Sequence, residues 1–171
     1  MWAEQGIGDE LMFSAMLPEM LSLCSGLIVK VDVRLIPLLA RSMPTEITFV
    51  PSGATVDENE YDEQIPMGSL CRYFRPQEVS FGRTRDGYIS DDKERTNSIR
   101  TALQRSGSFG NKRCGISWRS KNEQSGANRS LTLKAFIDML ALPDVDFVSL
   151  QYGDTGEEIE QVRSESSVTV L

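Results

Sequence analysis

Leu27-Ile28-Val29-Lys30-Val31-Asp32 is a short run of apolar and β-branched residues with the length of a buried strand. On its amino side, Leu11, Met12, Ala15, Met16, Leu17, Met20, Leu21 and Leu23 recur at helical spacing. The acids Asp9 and Glu10 stand in the first turn, where the helix dipole favours them, and Ser25-Gly26 stops the pattern. On its carboxyl side, 34–42 reads as a second helix with Leu35 and Pro37 in its early turns, and Glu46-Ile47-Thr48-Phe49-Val50 as the next strand. Met1-Trp2-Ala3 reads as the tail of a strand entering the turn Gly6-Ile7-Gly8. Strand, helix, strand, helix, strand is the order of a parallel sheet with crossover helices.

Outward from this unit, 51–87 is loop-rich, with an acidic stretch at 57–63 and helical character only at 67–74. A polar helix over 91–105, with Ile99 and Leu103 on one face, leads to the linker Ser106-Gly107-Ser108-Phe109-Gly110-Asn111. A second alternation follows: strand 114–118, a polar loop to Arg129, helix 131–142, strand 146–151, helix 155–163 opened by the capping box Thr155-x-x-Glu158, and strand 167–171. The predicted organisation is therefore α/β, with two Rossmann-like parallel-sheet units, the second incomplete: a first domain at 1–105, a linker at 106–112, and a βαβαβ half from 113 to 171. The chain stops on the apolar strand Val168-Thr169-Val170-Leu171, so it is expected to be a fragment, cut at the front as well. That open edge is expected to pair with another chain, giving a homo-oligomer.

Composition narrows the function. The 171 residues are 40% hydrophobic with 13 glycines, which is globular and excludes collagen-like and disordered classes. No apolar run reaches the roughly 20 residues of a membrane span. Lys plus Arg is 18 against 25 Asp plus Glu, a net charge of −7 that disfavours a phosphate-backbone partner such as nucleic acid. Cys24, Cys71 and Cys114 are far apart and odd in number, and read as reduced, buried thiols in a cytoplasmic protein. There is no histidine, which removes Ser-His-Asp and Cys-His catalysis and disfavours a zinc site.

Two places carry chemistry. Gly6-Ile7-Gly8-Asp9-Glu10-Leu11 has the outline of a dinucleotide fingerprint, with Asp32 where a ribose-binding acid would stand. It fails because Leu11 replaces the third glycine, and two carboxylates occupy the helix start that a pyrophosphate needs. Asp9 is then either a first-turn helix acid or a general base facing the crevice at the strand ends. The loop Arg119-Ser120-Lys121-Asn122-Glu123-Gln124-Ser125-Gly126-Ala127-Asn128-Arg129-Ser130 concentrates three cations and many polar groups ahead of a helix. It is either a diphosphate site, with Lys as point charge and Arg as fork, or an ordinary solvated loop. The stripe Met12, Met16, Met20 reads as core packing, and neither 57–60 nor Asp91-Asp92 reads as a metal site.

Five ordered motifs together carry a resemblance that covers nearly the whole chain. They are Trp2-Ala3-Glu4-Gln5-Gly6-Ile7-Gly8-Asp9-Glu10, Gln64-Ile65-Pro66-Met67-Gly68-Ser69-Leu70, Gly115-Ile116-Ser117-Trp118-Arg119, Asn128-Arg129-Ser130-Leu131 and Phe147-Val148-Ser149-Leu150-Gln151-Tyr152-Gly153. The chain resembles the heptosyltransferase-like glycosyltransferase domain that often follows tetratricopeptide repeats in bacterial proteins. The resemblance implies a GT-B fold, two Rossmann-like domains facing a cleft, the first for the acceptor and the second for a nucleotide sugar. It implies Asp9 as the base that deprotonates the acceptor hydroxyl, and substrate or donor contacts at Gly6, Gly8, Ser117, Arg119, Lys121, Asn128 and Arg129. No metal and no cofactor are implied beyond the nucleotide-diphosphate sugar itself.

The function expected is transfer of a sugar from a nucleotide-diphosphate donor to a glycan or other hydroxyl acceptor, with inversion and without metal. The family's second domain continues into an Asp- and His-bearing donor segment that these 171 residues lack, so the fragment itself is expected to be inactive. The alternative is a non-catalytic nucleotide- or partner-binding α/β module that keeps the fold without the chemistry.

Overall fold

The structure, a computed structural model, describes residues 1–4, 6–84, 87–106, 112–120, 126–140, 142 and 144–171. It is α/β, and the chain divides into two compact units, Met1–Asp92 and Lys93–Leu171. The division falls before the polar helix Lys93–Arg105 rather than after it, and most of the linker proposed at 106–112 lies outside the described residues.

In the first unit, α1 (Ile7–Ser14) and α2 (Leu17–Leu21) precede β1 (Leu27–Val31), α3 (Ile36–Ser42) and β2 (Ile47–Pro51). The two strands pair in parallel, Leu27 opposite Ile47 and Val31 opposite Pro51. Leu27, Val29 and Val31 alternate inward and join Leu39 of α3 in the core, which is why this β-branched run is a strand. The helix expected to run unbroken to Leu23 is interrupted at Ala15 and Met16. The cause is Pro18, which has no N–H to give Ser14 and whose ring crowds that carbonyl, so the chain restarts with proline in the first turn of α2. Consequently the methionine stripe splits: Met16 is buried in the core, whereas Met12 is 58% exposed.

Trp2 makes isolated parallel bridges to Lys30 on one side and to Pro66 on the other. The spatial order across the unit is thus β2, β1, Trp2, Pro66, with the direction of winding reversing at Trp2. This is the order of a doubly wound sheet. After Pro66, a 3-10 turn at Met67–Ser69 leads into α4 (Leu70–Phe74), where Met67 and Leu70 are buried. Arg75, just beyond α4, is tied to Glu19 of α2 by Nη2–Oε1 at 2.5 Å and Nη1–Oε2 at 3.1 Å.

In the second unit, α5 (Lys93–Arg105) precedes β3 (Lys112–Ile116), α6 (Leu133–Leu140), β4 (Val145–Ser149) and α7 (Gly156–Glu165). β3 and β4 are parallel, with Cys114 opposite Phe147. The expected last strand adds to the other side of β4: Val170 bridges Phe147, and Leu171 N–H donates to the Phe147 carbonyl at 2.8 Å. Leu133 and Ile137, one turn apart on α6, close over Ile116, Trp118, Phe147, Val162 and Val170. Lys134 of α6 reaches Glu165 of α7 at 2.5 Å.

Two expectations are corrected. The capping box at Thr155 does not form, because Thr155 (φ −131, ψ 8) makes no side-chain cap and Glu158 turns instead toward Trp118 and Arg119. The cysteines are not buried: Cys24, past the end of α2, and Cys114, in β3, are exposed, and Cys71 is half-buried. Among the described residues no helix is long and apolar enough to cross a membrane.

Candidate functional site

At the carboxyl side of Trp2, where the winding reverses, a tight crevice of about 10 Å³ is lined by Ala3, Glu4, Asp9, Glu10, Phe13, Met67 and Gly68. Met67 N–H donates to the Trp2 carbonyl at 2.8 Å, which brings the Met67–Ser69 turn across from α1. A methyl on Gly68 would stand 3.5 Å from the Phe13 ring and 3.7 Å from Glu4 Oε2, so the turn already sits at packing distance from both walls. The crevice holds about one water-sized group. It therefore admits a hydroxyl but not a sugar ring.

Its carboxylates are not equivalent. Glu10 is 6% exposed, and its Oε2 accepts the backbone N–H of Asp32 at 2.8 Å, pinning the start of α1 to the end of β1. Asp9 is half-buried, lines the crevice, and accepts no hydrogen bond on its carboxylate among the described residues. Its backbone N–H donates to the Gly6 carbonyl at 2.9 Å. Gly6 has an ordinary extended backbone, a methyl there would meet only Asp9 Oδ2 at 3.8 Å, and a methyl at Gly8 would meet nothing within 4 Å. The fold thus tolerates these glycines rather than requiring them. What they do is leave the backbone bare around Asp9.

Asp32 belongs to neither wall. Arg34 grips it through Nε at 2.9 Å and Nη2 at 2.8 Å, and donates its own N–H at 2.9 Å. These bonds pull the Asp32 carboxyl down to about 2. A wider groove of about 810 Å³ runs past Met20, Leu23, Ile28, Thr48 and Tyr61. It lies toward the amino ends of β1 and β2, whereas ligands of such sheets bind beyond the carboxyl ends, so the small crevice is the better candidate.

In the second unit, Ser117, Trp118 and Arg119 follow β3 and converge on one side chain. Gln151 Oε1 accepts from Ser117 Oγ at 3.2 Å, Trp118 N–H at 3.0 Å and Arg119 N–H at 2.9 Å. The Arg119 guanidinium turns inward. Its Nη2 donates to the Asp154 carbonyl at 2.6 Å, and its Nε lies 3.6 Å from Glu158 Oε2, close enough for an ion pair and too far for a hydrogen bond. Glu158 Oε2 also accepts from Trp118 Nε1 at 2.8 Å. Asn128 and Arg129 are exposed on a 3-10 turn, Ala127–Arg129. Lys121 lies outside the described residues. Ser117 and Arg119 are thus brought together, Asn128 and Arg129 stand at the far end of the same loop, and Asp9, Gly6 and Gly8 belong to the other unit.

Residue-by-residue reading missed Glu10, Gln151 and Glu158. Their partners lie 22 to 40 positions away, a separation that no local pattern reports. Among the described residues no group of three or more Cys, Asp or Glu side chains is placed to hold a metal ion.

Compared with known proteins, the chain is similar to Protein FlbA of Caulobacter vibrioides, with 30% identity over 183 aligned residues covering 98% of this chain. It spans 30% of that relative's length. No family model matches the chain, and no solved structure matches it.

Proposed function

We propose that the chain forms the acceptor-side unit and the start of the donor-side unit of a heptosyltransferase-like GT-B glycosyltransferase. The reaction is transfer of a sugar from a nucleoside diphosphate to a hydroxyl, with inversion. Asp9 takes the hydroxyl proton as that oxygen attacks the anomeric carbon. The bond from this carbon to the diphosphate oxygen breaks, and its electron pair leaves on the nucleoside diphosphate. Lys121 and Arg129 meet the charge that develops there. The observation that carries the reading is the placement of Asp9: at the head of α1, at the reversal of the sheet, in a crevice with room for a hydroxyl.

Asp9→Asn in the full-length protein should lower turnover by about 10²-fold or more while leaving thermal unfolding unchanged. Near-normal turnover of the variant overturns the role. The engagement of Arg119 by Glu158 and the Asp154 carbonyl, which leaves it less available to a donor phosphate, favours the second reading, a non-catalytic nucleotide- or partner-binding module. Binding of nucleoside diphosphates with no turnover of any nucleotide sugar would select that reading.

A further inference from the structure

We infer that Gln151 is the positioning residue of the 119–130 loop, holding its neck in the geometry in which Arg129 can meet a diphosphate. The inference rests on the reading of this loop as the diphosphate site. Gln151 stands just past the end of β4, and its carboxamide reaches the end of β3, where the loop departs. On one side, Oε1 takes the donors of Ser117, Trp118 and Arg119. On the other, Nε2 donates to the Arg119 carbonyl at 3.0 Å and to the Tyr152 carbonyl at 3.3 Å. Arg119 is thus gripped at both its N–H and its C=O, as a neighbouring strand would grip it.

Glutamine suits this place. The grip needs an acceptor and two donors on one planar group, which a carboxylate lacks, and the reach of one more methylene than asparagine has. Two further bonds close the neck: Leu131 N–H donates to the Trp118 carbonyl at 2.9 Å, and Ser120 N–H to Ser130 Oγ at 2.9 Å. Arg129 is the residue next to Ser130, so its position relative to the sheet is inherited from Trp118–Ser120, and these inherit theirs from Gln151. A tie that served stability alone would leave the contribution of Arg129 to anion binding unchanged.

The test is a double-mutant cycle on the full chain with inorganic pyrophosphate as probe, using the wild type, Gln151→Asn, Arg129→Ala and the double variant, with amide exchange followed in parallel. The wild type should protect the Trp118 and Arg119 amides, and Gln151→Asn should lower that protection by about tenfold or more. Pyrophosphate affinity should fall roughly tenfold in Gln151→Asn, and adding Arg129→Ala should then cost little more. Additive losses, or wild-type protection and affinity in Gln151→Asn, overturn the inference while leaving the diphosphate reading standing. A wild type that binds no pyrophosphate overturns the diphosphate reading and the positioning role with it. If Gln151→Asn does not fold, Gln151→Met, equal in length and without polar atoms, carries the same cycle.

Discussion

The two units use one architectural device with opposite charge. In Met1–Asp92 the turn after the first strand position leads into a helix whose first turn carries Asp9 and Glu10, and the unit holds 7 Lys and Arg against 15 Asp and Glu. In Lys93–Leu171 the stretch of sequence after β3 carries Arg119, Lys121 and Arg129, and the balance is 11 against 10. Parallel strands joined by helices recur in both units, so the contrast between them lies in the side chains that follow the first strand. A carboxylate-lined crevice disfavours anions, and clustered cations favour them.

Core substitutions should produce the largest effects and test whether each unit depends on a single packed centre. Phe147→Ala in the second unit should cost about 3–5 kcal/mol and Leu39→Ala in the first about 2–5 kcal/mol, read by denaturant unfolding with Trp118 and Trp2 emission. Next come the paired acids of the first unit. Glu10→Ala should lose about 1–3 kcal/mol because the Asp32 N–H is left without its acceptor, whereas Glu10→Gln keeps an oxygen there and should cost much less. Equal losses for the two Glu10 variants would remove the distinction between a structural Glu10 and a chemical Asp9. In the second unit, Glu158→Gln keeps an acceptor for Trp118 Nε1 but removes the charge beside Arg119, and should tighten pyrophosphate binding by about two- to fivefold. Unchanged binding would mean that Arg119 takes no part.

The smallest effects are in the pH profile of stability. Asp32 has its carboxyl lowered from 3.8 to about 2 by the Arg34 bonds, so its contribution is complete above about pH 4 and is lost as pH falls toward 2. Glu165, lowered by its bond to Lys134, gives the second unit a similar acid limb, lost as pH falls below its ordinary 4.5. Lys134 is raised by the same bond, so its share is complete below 10.5 and disappears as pH rises through the raised value. Asp32→Asn should flatten only the acid limb, and Lys134→Met both limbs contributed by its pair, as followed by unfolding midpoint against pH.

The strands were readable because their signal is local. Leu27–Val31, Ile47–Pro51 and Val145–Ser149 are largely apolar or β-branched runs found within two residues of where the sequence places them, whereas the third strand starts two residues early, at the charged pair Lys112-Arg113. The break in the first helix was equally local, yet the apolar periodicity on both sides of Pro18 masks it. Thr155 and Glu158 show the opposite limit: the capping spacing is present, but the indole of Trp118 is the partner that Glu158 takes. Asp9 could be singled out because helix starts after a strand have a known geometry, whereas the Gln151 grip is a meeting of two strand ends that spacing along the chain does not record.

The bridges of Trp2 are the long-range joints of the first unit. β1, α3 and β2 are neighbours in sequence and can dock through short loop closure, but Trp2 must find Lys30 and Pro66 across most of the first unit before the crevice exists. Each of those unions is a single residue wide. The wall of the crevice that carries Asp9 is therefore joined to the rest of the sheet by two narrow seams, and the amides that close them, Ala3 and Met67, should exchange faster than those within β1 and β2.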